Sequence, residues 1–134
     1  MADSREVLII DDDRQIVQAL GVRLRNAGFT VRTAFDGTTG LDAATRGSFN
    51  AIVLDIRIPQ MDGLTLLTKL RAQEKTRLVP VVMLSANACD QKKALAQGAQ
   101  YFMPKPYDPK ALLAVVESAV QGGGTHCDEC GDAE

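Results

Sequence analysis

Val7-Leu8-Ile9-Ile10-Asp11-Asp12-Asp13 sets four apolar residues directly against three acids. A run that short and that uniformly apolar reads as a strand buried on both faces, the habit of parallel sheets whose helices cover both sides. Immediately after it, Ile16, Val17, Leu20 and Leu24 recur at helical spacing between Arg14 and Ala27. Asp13 is available as the N-cap of that helix, and Gly28 stands where a left-handed residue is wanted beyond its end.

The same alternation continues along the chain. Phe29 to Phe35 reads as a second strand, and Asp36-Gly37 opens a second helix ending near Gly47. Gly37 and Gly40 weaken that helix, since an interior Gly costs about 1 kcal/mol relative to Ala, so it is expected to be the least stable and to start late. Ala51-Ile52-Val53-Leu54 is a third buried strand closed by Asp55, and after a Pro59-to-Gly63 loop a helix covers Leu64 to Ala72. Val79 to Leu84 is a fourth strand, with Pro80 near its start, where a missing N–H matters least. A helix from about Asn87 to Gln97 ends at Gly98, Tyr101-Phe102-Met103 is a short fifth strand, and Pro109 opens a last helix reaching about Val120.

Five strand–helix units require parallel strands with right-handed crossovers, so the fold class is α/β: one doubly wound five-stranded parallel sheet. The 134 residues leave room for one domain. Gly122-Gly123-Gly124 begins a polar tail, expected to be flexible, so the domain is read as residues 1–121 and the tail as 122–134. With no Trp and 4% aromatic residues, the core must be built from Val, Ile, Leu and Ala. A net charge of -2 provides no basic stripe for direct nucleic-acid binding. No apolar run nears the roughly 20 residues that span a bilayer, the N-terminus lacks a signal-peptide pattern, and three cysteines form no disulfide framework. The expected compartment is the cytoplasm.

In an open parallel sheet ligands bind beyond the carboxyl ends of the strands. Those ends carry Asp11-Asp12-Asp13, Asp55, Ser85-Ala86 and Met103-Pro104-Lys105-Pro106. Clustered carboxylates repel unless a cation joins them, and an all-oxygen donor set points to Mg2+ or Mn2+. A carboxylate such as Asp55 beside that ion can act as a nucleophile towards phosphorus, with Lys105 and Ser85 contacting phosphoryl oxygens. Taken singly, each residue has a plainer role: an acid after a strand is commonly a cap, a Ser a turn former, a Lys before Pro a solvated loop residue. Their joint occurrence at four successive strand ends is what carries weight.

The segments VLIIDDD (Val7–Asp13), LDIRIPQMDG (Leu54–Gly63), MLSA (Met83–Ala86) and GAQYFMPKP (Gly98–Pro106) are similar to those of bacterial response-regulator receiver domains, across about residues 5 to 121. The resemblance implies a flavodoxin-like (βα)5 fold with strand order 2-1-3-4-5. It further implies Asp55 as phosphoacceptor, Asp12 as direct and Asp11 as water-mediated metal ligand, and the Arg57 backbone carbonyl as another ligand. Ser85 matches the hydroxyl that moves to the phosphoryl group, Lys105 its ion-pairing lysine, and Phe102 the aromatic switch position. A cis bond between Lys105 and Pro106 is implied too. Small Ala86 would leave the site accessible, and Arg57 and Asn87 would tune phosphate loss.

The function implied is a phosphorylation-activated switch rather than a turnover enzyme, catalysing its own phosphotransfer and dephosphorylation. A sensor histidine kinase or histidine phosphotransfer protein would be the donor. An output protein or a second copy would bind the face of helix four, strand five and helix five. No output domain is read after residue 121, which resembles a stand-alone regulator or a receiver cut from a longer protein. Two other classes compete. Asp11-Asp12-Asp13 contains the D-x-D spacing of haloacid-dehalogenase phosphatases, but no cap domain is present and the Asp55 loop would go unexplained. A phosphorylation-independent interaction module would leave the full set of acids, hydroxyl and lysine without a purpose. The tail's His126, Cys127 and Cys130 supply three ligands at most for a metal, with a flexible tail as the plainer reading. Cys89 is expected to pack as a small apolar group on helix four.

Overall fold

A computed structural model describes residues 5–122. Ten elements alternate: β1 (Glu6–Ile10), α1 (Arg14–Asn26), β2 (Thr30–Ala34), α2 (Gly37–Arg46), β3 (Ala51–Asp55), α3 (Gly63–Ala72), β4 (Val81–Ser85), α4 (Asp90–Ala96), β5 (Tyr101–Pro104) and α5 (Pro109–Gly122). All strand pairs are parallel, in the order β2-β1-β3-β4-β5. The expected doubly wound sheet is therefore present, with its order reversing between β1 and β3.

Strand periodicity divides the core in two. Leu8, Ile10, Ile52, Leu54, Val81 and Met83 point to one face, where Leu66, Leu67 and Leu70 of α3 and Ala94 of α4 cover them. Val7, Ile9, Val53, Val82 and Leu84 point to the other, beneath Leu20 and Leu24 of α1 and Leu112 and Val116 of α5. The apolar runs seen in the sequence are continuous because both faces are roofed.

Asp13 caps α1, its Oδ1 accepting the N–H groups of Gln15 and Ile16, and Gly28 follows that helix at φ 99°. Four expectations need correction. The second helix does not start late: Asp36 caps it through the Thr39 N–H at 2.7 Å, and it begins at Gly37. Its glycines are sites of close approach, since a Cβ on Gly40 would lie 2.7 Å from Ile10 Cδ1 and one on Gly37 2.5 Å from the Met61 carbonyl oxygen. The fourth strand begins at Val81, leaving Val79 and Pro80 before it. Helix α4 begins at Asp90, not Asn87, because Asn87 Oδ1 accepts the Cys89 N–H at 2.9 Å and the Asp90 N–H bonds back to the Asn87 carbonyl, closing a turn first. Cys89 consequently sits before the helix and is exposed rather than packed. At the far end α5 runs to Gly122, slightly past the boundary read from the sequence. The remaining tail, including His126, Cys127 and Cys130, lies outside the described residues.

Candidate functional site

The carboxyl ends of β1 and β3 flank the point where strand order reverses, and the register pairs Ile10 with Leu54. Asp11 follows Ile10, and its N–H donates to the Ala34 carbonyl at 3.1 Å, so β2 holds its backbone in place. Asp55 is the last residue of β3, and the next N–H, that of Ile56, donates to Leu84 of β4. Both acids are buried, while Asp12 turns outward and is exposed. One oxygen from each of Asp11, Asp12 and Asp55 falls within 4.8 Å of the others.

Lys105 reaches this cluster from the loop after β5. Its Nζ lies 3.0 Å from Asp55 Oδ2 and 3.4 Å from Asp11 Oδ2. The Lys105 N–H donates to the Ser85 carbonyl at 2.8 Å, and the Lys105–Pro106 bond is cis, as expected. Burial works against the Lys105 ammonium. The hydrogen bond and charge of Asp55, with Asp11, outweigh that and raise its pKa above the ordinary lysine value. The Asp11 carboxyl is also pushed up, first by burial and then by the charge of Asp55, against the lowering effects of the Asp13 N–H and Lys105. The pair of buried acids thus has one ammonium between them. An oxygen-only donor set of this kind suits a hard divalent cation and offers nothing to a soft one.

Behind the acids the loop from β3 to α3 is tightly held. The Gly63 N–H donates to Ile56 at 2.7 Å and the Gly37 N–H to Pro59 at 3.0 Å. A Cβ on Gly63 would lie 2.5 Å from the carbonyl oxygen of Asp55. Arg57 lines one cleft with Asp12, Asp62 and Asp90.

A family model of the response regulator receiver domain matches residues 7–117. The chain belongs to that family. The receiver domain is 39% identical over 124 residues to the transcriptional regulatory protein PrrA of Mycobacterium tuberculosis, covering 91% of this chain and 52% of that protein. It is 32% identical over 127 residues to the transcriptional regulatory protein YkoG of Bacillus subtilis, covering 93% and 55%. The chain thus spans about half the length of the curated relatives it matches. Among solved structures, the receiver domain of the sensor histidine kinase PA1611 from Pseudomonas aeruginosa superposes with a TM-score of 0.81 at 29% identity, covering 89% of this chain and 99% of that one. That crystal structure has a magnesium ion coordinated in its active-site cleft.

The two other classes weighed from the sequence lose their footing here. Asp13, the second acid of the D-x-D spacing, spends its carboxylate on the α1 cap. An interaction module alone gives no reason to bury Asp11 and Asp55 side by side.

Of the expected site residues, Asp11, Asp12, Asp55 and Lys105 come together. Ser85 is fully buried at the end of β4, but its hydroxyl donates to Asp90 Oδ2 at 2.6 Å. Phe102 pairs with Met83 across the sheet and is half-buried against the core cluster that includes Met83 and Ala94. Asn87 spends its side-chain oxygen on the turn before α4. The sequence reading missed Asp90, because an acid in the first turn of a helix looks like a dipole partner. It also missed Tyr107, half-buried beside the acids, whose phenol is pushed up by burial and then by the charge of Asp11. No helix among the described residues is long and apolar enough to cross a membrane.

Proposed function

We propose that this receiver domain accepts a phosphoryl group on Asp55 and thereby switches a signalling output. The observation that carries the reading is Lys105 Nζ at 3.0 Å from Asp55, within an acid cluster whose ligand oxygens lie within 4.8 Å of one another. An Asp55 oxygen attacks the phosphorus of a phosphohistidine on a sensor kinase or phosphotransfer protein. An O–P bond forms, the P–N bond breaks, and the imidazole leaves with the bonding pair and takes up a proton. Lys105, 3.0 Å from Asp55, offsets the charge of the incoming oxygens, and Asp55, fixed at the end of β3, needs little movement to attack. Asp11, Asp12 and Asp55, with the backbone carbonyl of Arg57, would hold Mg2+ (or Mn2+), which when bound neutralises phosphoryl charge. The domain catalyses this transfer and the later hydrolysis upon itself rather than turning over a free substrate.

Arg57 and Asn87 flank the cluster and tune the hydrolysis. Ser85 and Phe102 respond to the phosphoryl group and alter the face of α4, β5 and α5, which takes up an output protein or a second copy. Relatives named as transcriptional regulators favour an output in gene control and a cytoplasmic setting. Residues 1–121 form the signalling unit in this reading, and residues 122–134 an appendage to it.

The test is intact-protein mass after incubation with acetyl phosphate, with and without Mg2+, alongside Asp55→Asn. A Mg2+-dependent gain of one phosphoryl group, lost in the variant, is the expected result. An equal gain in the variant, or none in the wild type under conditions that label another receiver, overturns the reading.

A further inference from the structure

Ser85 carries the hydroxyl expected to contact the phosphoryl group, yet its hydrogen-bond partners are Asn87 and Asp90. Its O–H donates to Asp90 Oδ2 at 2.6 Å, and its oxygen accepts the Asn87 N–H at 3.0 Å. The other acceptor within reach is the Asn87 carbonyl, at 3.3 Å. All three partners belong to Asn87 and Asp90, in the segment just after β4. A hydroxyl has one proton, and here a carboxylate takes it.

Asp90 itself is buried, with 7% of its surface exposed, and it is the first residue of α4. The cation nearest to it is Arg57, whose Nη2 stands 3.9 Å from the same Oδ2, too far for a hydrogen bond, on a side chain 69% exposed. The Ser85 hydroxyl is therefore the close partner of a buried charge, and charge-assisted hydrogen bonds are shorter and stronger than neutral ones. Asp90 is tied to α4 and Arg57 to the loop following Asp55, so the contact joins the acid cluster's loop to the helix of the output face.

We propose that Asp90 is a positioning residue that holds Ser85 in its resting orientation, so that phosphorylation of Asp55 must first draw the hydroxyl away from a buried carboxylate. The proposal rests on the reading of Asp55 as phosphoacceptor. When the Ser85 hydroxyl turns to a phosphoryl oxygen, Asp90 loses its close donor. Buried and short of a partner, it is driven to move towards solvent or towards Arg57, taking the start of α4 with it. The switch is thereby biased towards its resting state, and the movement of α4 follows from the loss of a hydrogen bond.

The experiment is an NMR titration of the full chain with beryllofluoride, a stable phosphoryl mimic, in the presence of Mg2+. The wild type, Asp90→Ala, Ser85→Ala and the double variant are compared. Asp90→Ala should bind the mimic about tenfold more tightly than the wild type, the scale of one hydrogen bond to a charged group. In the Ser85→Ala background the same change should have no effect, because the hydroxyl it releases is absent. Should Asp90→Ala fail to fold, Asp90→Asn keeps the shape, weakens the acceptor and should move affinity in the same direction. Unchanged or weaker binding in the Asp90 variants overturns the proposal. So does an equal gain in both backgrounds, which would mean that Asp90 merely repels the anion. If neither wild type nor variants bind the mimic, the assignment of Asp55 falls and this inference with it; binding by the wild type with no change on substitution removes the inference alone.

Discussion

The β3–α3 half-unit and the β5–α4 face beside it are built to different standards. Every residue of β3 is buried, α3 presses Leu66, Leu67 and Leu70 into the core, and the loop between them is fastened at both ends. None of the four residues of β5 is fully buried, and α4 is a seven-residue helix that buries only Asp90 and Ala94. The acid cluster stands on the first half, and Ser85, Phe102 and Asp90 face the second. The acid cluster therefore has the better-packed support, whereas the α4–β5 region has fewer apolar contacts to hold it.

The largest expected effect comes from cutting into the rigid half. Leu54→Ala, at a fully buried position one residue before Asp55, should cost about 2–5 kcal/mol in urea denaturation. Leu95→Ala on α4, where the side chain is 43% exposed, should stay within about 0.5 kcal/mol. Equal losses at the two sites would erase the contrast.

Gly40→Ala sharpens it next. Helix propensity alone would make this change stabilising by about 1 kcal/mol. The new methyl would instead meet Ile10, the residue before Asp11, at an overpacking cost of about 1–3 kcal/mol, so we expect a net loss of up to about 2 kcal/mol, read as a lower urea midpoint with unchanged slope.

The smallest effect concerns charge in the rigid half. Asp11 titrates above its ordinary 3.8 in the folded state, chiefly through burial and then through Asp55. The native protein thus binds this proton more tightly than the unfolded chain does, and metal-free stability falls as pH rises through the window above 3.8. Metal-free Asp11→Asn should be modestly more stable there and lose that part of the acid-range slope, while gaining less from added Mg2+ than the wild type. Thermal melts across pH, with and without Mg2+, check both parts.

Legibility in the sequence follows the same division. The apolar runs of β1 and β3, the acids that end them and the Asp13 cap are local signals, and they stand where the pattern put them. Lys105 was readable through its position after a strand, although its distance from Asp55 was not. What escaped depends on tertiary contact. The glycines of α2 looked like weakness because their neighbours, Ile10 and Met61, are remote in sequence. The late start of α4 comes from an Asn87 turn that competes with helix, and only that shift brings Asp90 under Ser85. Arg71 shows the same limit: at a helix end it looks solvated, yet it binds the carbonyls of Gly98 and Thr76 and the side chain of Gln100, tying α3 to the segments on either side of β4 and α4.

The contact behind Asp55 bears on how such a chain can change over generations. Position 63 faces the carbonyl of Asp55 itself with room for a hydrogen and nothing more. A side chain there would force the backbone at Asp55 to move. A change at the start of α3 therefore bears at once on the geometry of the acid cluster, whereas a change along the exposed face of α4 meets few buried neighbours.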